Sequence, residues 1–267
     1  MNPMLNIAIR AARKAGNVIA KNYERRDDIK TAVKGNNDYV TNVDKEAEAA
    51  IIEVIKTAYP EHTIITEESG ALKGRDNDIQ WVIDPLDGTT NFIKGFPHFS
   101  VSIAIRVKGR TEVGVVYDPI RNELFTAVRG AGAKLNEMRL RIEAKRDLQG
   151  AILATGFPFK QNKYMPLQFE VMQGLIEQAA DFRRSGSAAL DLCYVAANRV
   201  DGYFEIGLKA WDCAAGDLIV REAGGLVTDF NGGHTYLTAG HIVAASSRIV
   251  KEILNKIQPC LGAEFKN

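Results

Sequence analysis

The sequence predicts a mixed fold in two parts. The first half reads as α+β, with helices and an antiparallel sheet; the second reads as α/β, with strands and helices alternating around a mostly parallel sheet. Three observations carry this. Near the N-terminus apolar residues recur at steps of three and four, the spacing of one helix face. Between Phe99 and Val128 the β-branched runs VSIAIRV, TEVGVVYD and ELFTAV are separated by the turns KGR and PIRN, as in an antiparallel meander. Beyond residue 150 the strand-like runs ILATG, GYFEI, LVTDF and IVAAS are interleaved with helical stretches.

The first helix follows from Leu5, Ala8, Ala12, Ala15, Ile19 and Tyr23, with Arg and Lys between them. The polar stretch DDIKTAVKGNND reads as a loop. Thr41-Asn42 are good capping residues for a second helix, whose apolar face is Ala47, Ala50, Ile51, Val54, Ile55 and Ala58 and which Pro60 stops. Strands are expected at His62–Thr66 and Gln80–Ile83. Further helices are expected at Met165–Ala180, Gly186–Ala197 and Trp211–Glu222, with a last one carrying Ile249, Val250, Ile253, Leu254 and Ile257. The chain is read as two lobes, 1–150 and 151–267, in a single compact unit without a flexible linker.

Composition narrows the function. In 267 residues, 46% are hydrophobic and 25% charged, which excludes a disordered or fibrous chain. Lys+Arg number 34 against 33 Asp+Glu, a net charge of +1. That balance argues against a nucleic-acid-coating protein, and no sequence-specific nucleic-acid binding is expected. Arg10, Arg13 and Lys14 interrupt the N-terminal segment before it could serve as a signal peptide, and no stretch approaches 18 apolar residues. No membrane partner is expected. Cys193, Cys213 and Cys260 match no zinc or disulfide pattern and read as packed, reduced thiols of a cytoplasmic protein.

The most informative stretch is Asp84-Pro-Leu-Asp87-Gly-Thr-Thr-Asn91-Phe, directly after the apolar strand WVI. Two carboxylates lie three residues apart on a turn stiffened by proline. Gly88 permits close backbone approach to a ligand, and Thr89 and Thr90 could open a helix whose N–H groups face an anion. Acids beside an anion-binding turn are reconciled by a cation that grips both. An ordinary Asp-Gly turn is the alternative. Glu67-Glu68 end the preceding strand near the mouth of the same sheet. Asp212 opens the small-residue helix CAAGDLIV, where an Asp taken alone is commonly just a cap.

ITEES at Ile65–Ser69, DPLDGTTNF at Asp84–Phe92 and WDCAAG at Trp211–Gly216 resemble, in order and spacing, the motifs of the inositol monophosphatase family. EAGG at Glu222–Gly225, DYVTNVD at Asp38–Asp44, GFPF at Gly156–Phe159 and RRSGSAALDL at Arg183–Leu192 extend the resemblance over essentially the whole chain. It implies a layered αβαβα sugar-phosphatase sandwich, a homodimer, and Mg²⁺-dependent, lithium-sensitive hydrolysis of myo-inositol monophosphate to inositol and phosphate. Glu67, Asp84, Asp87 and Asp212 would ligate metal through side chains and Leu86 through its carbonyl, with two to three Mg²⁺ per subunit. Glu67 and Thr89 would activate water, with Asp44 hydrogen-bonded to Thr89, although a helix-cap role for Thr89 is also compatible. Leu86, Asp87, Gly88, Thr89 and Asp212 would meet the phosphate. Glu205 would accept the polyol hydroxyls, with Gly186, Ser187 and Ala188 along the ring. Arg183 would stand on the substrate side, with Arg184 competing for that role. Lys34 matches a basic loop residue. Fructose-1,6-bisphosphatase and nucleotide 3′-phosphatase are the sibling activities. Close resemblance also implies a second role in transcription antitermination, with Nus factors and RNA polymerase as partners. The basic clusters Arg25-Arg26, Arg139–Arg146 and Arg183-Arg184 are modest and do not by themselves demand it. His62, His98, His234 and His241 form no ligand spacing.

Overall fold

A computed structural model describes residues 2–25, 29–35, 38–145, 147–262 and 265. Arg26 and Arg146 of the basic clusters, and the side chains of Lys34 and Asp38, lie outside the described part.

The chain runs α1 (Pro3–Tyr23), β1 (Thr31–Gly35), β2 (Asp38–Thr41), α2 (Asn42–Ala58), β3 (His62–Thr66), β4 (Gly70–Leu72), β5 (Asp76–Asp87) and α3 (Thr89–Lys94). The meander follows as β6 (Ser100–Val107), β7 (Arg110–Asp118), β8 (Glu123–Val128), β9 (Gly132–Leu135) and β10 (Met138–Arg139). Then come β11 (Ile152–Thr155), α4 (Met165–Ile176), β12 (Asp181–Arg183), α5 (Ala188–Ala196), β13 (Gly202–Ile206) and α6 (Ala210–Glu222). The chain closes with β14 (Leu226–Thr228), α7 (Tyr236–Ala239), β15 (His241–Ala245) and α8 (Ser247–Ile257).

These elements stack in five layers, helix–sheet–helix–sheet–helix, and the strand pleat shows why. On β5, Trp81 and Ile83 face α1 and α2, while Val82 faces α5 and α6. On β6, Ile103 and Ile105 point to the first pair of helices and Ala104 to the second. The smaller sheet repeats this: Tyr203, Ile242 and Ala244 face the middle helices, and Phe204, Ile206, Val243 and Ala245 face α4 and α8. Both faces of both sheets are covered, so the inner strands are apolar throughout rather than alternating. The middle layer fits because its contacts are small. A Cβ on Gly114 of β7 would stand 2.7 Å from the Ala215 carbonyl oxygen, and one on Gly216 would stand 2.6 Å from Leu192 Cβ.

The larger sheet has the order β10-β9-β8-β7-β6-β5-β3-β4 and is antiparallel except for the parallel pair β3/β5. Three expectations need correction. The presumed polar loop contains the hairpin β1/β2, whose first strand is exposed at Thr31, Ala32, Val33 and Gly35 and so carries no apolar alternation. The smaller sheet, β12-β11-β13-β15-β14, is mixed and not mostly parallel: β11 pairs parallel with β12 and β13, but β15 is antiparallel to β13 and β14. After β14 the chain turns through α7 and inserts β15 between β13 and β14, which reverses its direction. Helix α4 ends at Ile176, four residues before the expected Ala180.

Candidate active site

The turn after β5 is built by its own sequence. Leu86 is buried in the core and anchors the turn, while Asp84 Oδ1 accepts the Leu86 N–H at 3.0 Å. The β5/β6 register shifts between Asp84 and Asp87, so both carboxylates leave the ladder near the same place. Gly88 then takes a left-handed conformation, φ +101°, where a Cβ would meet the His98 carbonyl oxygen at 3.0 Å. Gly88 is the N-cap of α3; Thr89 lies inside the helix, which removes the capping role considered for it.

The Thr89 hydroxyl instead lies 2.9 Å from Asp44 Oδ1 and 3.1 Å from the Leu86 carbonyl oxygen. Asp44 is the third residue of α2, and its Oδ2 accepts the Thr41 N–H (2.9 Å) and hydroxyl (2.6 Å). It is buried behind Thr89. Burial raises its pKa above the usual carboxylate value, against the pull of the Thr41 and Thr89 hydrogen bonds.

Glu67 follows β3, and its N–H donates to the Ile83 carbonyl (3.3 Å), which sets it abreast of the end of β5. Lys160 Nζ stands 4.0 Å from its carboxylate. Asp212, in the first turn of α6, accepts the Lys209 N–H at 2.6 Å as a cap does, and it also lines both parts of the cleft. Asp87 Oδ2 accepts the Ser187 hydroxyl (2.6 Å) and the Ala189 N–H (2.8 Å) from the start of α5. Asn91 Nδ2 donates to the carbonyls of His98 (2.7 Å) and Ser185 (2.8 Å), clamping the 184–187 loop against the turn.

These carboxylates repel one another. Burial, reinforced by the charges of Glu67, Asp87 and Asp212, raises the Asp84 pKa well above normal. Burial and then the Asp87 charge do the same for Asp212. Asp87 is pushed up to about 6, chiefly by burial, with the Ser187 and Ala189 hydrogen bonds opposing.

A cleft of two connected parts, 530 and 500 Å³, runs past them, sharing Glu67, Asp87, Lys160, Arg184, Gly186 and Asp212. One part reaches Asp84, Leu86, Gly88, Thr89 and the hairpin residues Thr31 and Tyr39. The other reaches Ser187, Ala188, Glu205, Lys209, Trp211 and the loop 156–161. Glu205 Oε2 accepts the Tyr203 hydroxyl at 2.6 Å, and burial raises its pKa to about 7. Gly156 is required beside it: a Cβ there would stand 2.1 Å from the Glu205 carboxylate.

Of the residues expected at the site, Arg183 is not brought in. It is exposed and paired with Asp181, whereas Arg184 lines both parts of the cleft with its guanidinium 5.4 Å from the Phe159 ring. Lys160, Lys209, Trp211 and Tyr39 line the cleft unanticipated. The GFPF motif pointed toward Lys160, but nothing in the sequence says that a lone lysine after it reaches a site. None of the four histidines lines the cleft. His62 Nδ1 accepts the Trp81 N–H at 3.0 Å, and burial pushes His98 down to about 4.

The donors are oxygens only, which suits a hard divalent cation and not a thiolate- or imidazole-seeking metal. Among the described residues no three His, Cys, Asp or Glu side chains close around a point on their own. Such a cation would complete its shell from the Leu86 carbonyl, water and phosphate oxygens, as Mg²⁺-type ions do.

Comparison with known proteins finds relatives along nearly the whole chain. The inositol monophosphatase family matches residues 1–262. The chain is 80% identical over 266 residues to Nus factor SuhB of Pasteurella multocida, covering 100% of each. The structure of extragenic suppressor protein suhB from Bartonella henselae matches with a TM-score of 0.94 at 39% identity, covering 96% of this chain and 99% of that one. The structure of inositol monophosphatase from Anabaena matches with a TM-score of 0.85 at 36% identity, covering 98% of both. With the layered fold, the carboxylate-lined cleft and a match over nearly its full length, the chain belongs to the inositol monophosphatase family.

Proposed function

We propose that this chain is a Mg²⁺-dependent phosphomonoesterase that hydrolyses myo-inositol monophosphate to myo-inositol and phosphate. The observation that carries this is one cleft with mutually repelling buried carboxylates at one end and Glu205 at the other. Mg²⁺ held by Glu67, Asp84, Asp87, Asp212 and the Leu86 carbonyl, two to three ions per subunit in the family reading, would supply positive charge to the phosphate oxygens and acidify water.

The protein's own groups do the rest. Thr89 accepts a hydrogen bond from the attacking water and, as that water loses its proton, passes its own hydroxyl proton to Asp44. Glu67, in the same cleft, would help to hold the water as it is deprotonated. The Gly88 and Thr89 N–H groups hold the phosphate. On the polyol side, Tyr203 occupies Glu205 Oε2, which leaves Oε1 to accept from ring hydroxyls, while the Gly186–Ala188 backbone lies along the ring. Water attacks in line, without a phosphoenzyme. A homodimer in the cytoplasm fits this reading; no helix among the described residues is long and apolar enough to cross a membrane.

Turnover of myo-inositol monophosphate, fructose 1,6-bisphosphate and a nucleoside 3′-phosphate, each with Mg²⁺ and with EDTA, tests the assignment. Inositol monophosphate is expected to be the best substrate and EDTA to stop turnover. Asp87→Asn is expected to abolish activity while leaving the fold intact; near-normal activity at saturating Mg²⁺ would overturn the ligand set.

The name Nus factor SuhB on a relative 80% identical over the full chain supports a second reading. In it the chain also binds Nus factors and RNA polymerase in transcription antitermination. Purified transcription factors should be retained equally by the native chain and by Asp87→Asn; no retention by either would remove this role.

A further inference from the structure

Helix α2 carries a second buried carboxylate one turn beyond Asp44. Glu48 is 3% exposed, yet its partners lie at the end of β3 and in the turn that follows it. Its Oε2 accepts the Thr66 hydroxyl at 2.5 Å and the Glu68 N–H at 3.1 Å, and its Oε1 accepts the Ser69 hydroxyl. Those three donors bracket Glu67 on both sides. A buried carboxylate is costly unless hydrogen bonds satisfy it, and this one is satisfied only while the turn keeps its present shape. Asp44 and Glu48 are four residues apart and so share a helix face. One holds Thr89 at the start of α3, just after β5; the other holds the turn that carries Glu67.

We propose that Glu48 is a positioning residue that fixes the Glu67 carboxylate for a divalent cation, so that α2 sets the spacing between the two acidic turns of the cleft. This rests on the phosphatase reading above. Releasing Glu48 lets the 66–69 turn relax, and Glu67 then spends part of its time away from the ion. Outer residues that orient ligands in this way cost roughly 10–100-fold in metal affinity when replaced.

The test is Mn²⁺ binding by calorimetry without substrate, with the thermal midpoint measured on the same proteins. Glu48→Gln keeps the shape but replaces one acceptor oxygen by a donor, and should weaken Mn²⁺ binding about tenfold. Ile51→Val, in the core on the same helix, should lower the midpoint by a few degrees and leave Mn²⁺ binding unchanged. Ser69→Ala, at an exposed position, removes a single donor and should weaken binding about threefold with the midpoint unchanged. It decides the matter if Glu48→Gln does not fold. Native-like Mn²⁺ affinity in Glu48→Gln, or in Ser69→Ala should the former not fold, overturns the proposal. So does an equal loss in Ile51→Val. Absence of Mn²⁺ binding by the native chain would instead overturn the metal reading on which the proposal rests.

Discussion

The two walls of the cleft are built differently. The wall from the larger sheet places Glu67, Asp84 and Asp87 at strand ends, where each backbone is tied by a ladder or a buried turn. The wall from the smaller sheet relies on the 156–161 loop, the 184–188 segment and long side chains such as Lys160, Arg184 and Lys209. Groups that hold an ion or a reacting water need positions fixed to a fraction of an ångström, which strand ends provide. Groups that recognise a polyol need hydrogen bonds at the right places and tolerate loop variation. Substitutions on the first wall should therefore act on kcat, and those on the second on KM.

The sharpest way to break this contrast is Thr89→Val. It should lower kcat by roughly 10²-fold or more with KM little changed, because the shape is nearly kept while the hydroxyl is lost. Although Gly88 and not Thr89 caps α3, the substitution leaves buried Asp44 Oδ1 without the Thr89 hydroxyl, so the thermal midpoint should also fall by a few degrees. Steady-state kinetics and a melt on one sample check both; normal kcat would remove Thr89 from the mechanism.

Across the cleft, Gly156→Ala should raise KM for inositol phosphate about tenfold, because its methyl group must displace the Glu205 carboxylate, an overpacking cost of about 1–3 kcal/mol. A phosphate ester without ring hydroxyls should be hydrolysed at nearly the native rate. Equal losses on both esters would mean that Gly156 supports the whole cleft.

The neighbouring arginines sharpen the same point. Arg184→Ala should cost about five- to tenfold in KM, the loss of one charge–substrate contact. Arg183→Ala should stay within about twofold, because it gives up only an exposed ion pair with Asp181. Reversed results would place Arg183 at the substrate.

The smallest effect concerns stability. The Glu205 pKa is about 7 in the folded chain against an ordinary value of 4.5, so the folded state binds this proton more tightly than the unfolded one. Stability is therefore lost as pH rises from about 4.5 to 7, and the penalty is complete above 7. Glu205→Gln should raise the thermal midpoint by a few degrees at pH 8 and leave it unchanged at pH 4. At pH 8 it should also cost about 1–3 kcal/mol in kcat/KM for inositol phosphate. A midpoint gain that does not depend on pH would assign the effect to packing.

Much of the first wall was legible in the sequence because its residues come in runs. The Asp84–Asn91 stretch carries its own turn chemistry, and Thr41 with Asp44 declares the start of α2. The second wall was less legible. Choosing between Arg183 and Arg184 requires knowing that β12 exists and ends at Arg183, and that three-residue strand has no pattern of its own. Strand direction is likewise absent from periodicity, so the insertion of β15 between β13 and β14 could not be read. Nothing local in the sequence distinguishes Glu48 from any polar residue on a helix, because its partners lie 18 to 21 positions away.

The small-residue face of α6 has a further consequence, during synthesis. This helix packs on β5 to β8 of the larger sheet, which is complete by Arg139, yet α6 itself ends only at Glu222. At ribosomal rates of about 5–20 residues per second, the inner face of that sheet waits several seconds for its cover. For that interval Ala104, Val116 and Phe125 present apolar surface on a nascent chain that already has long strands. A chaperone acting on this protein during translation would find its target there, and the need for it should end once α6 has emerged and docked.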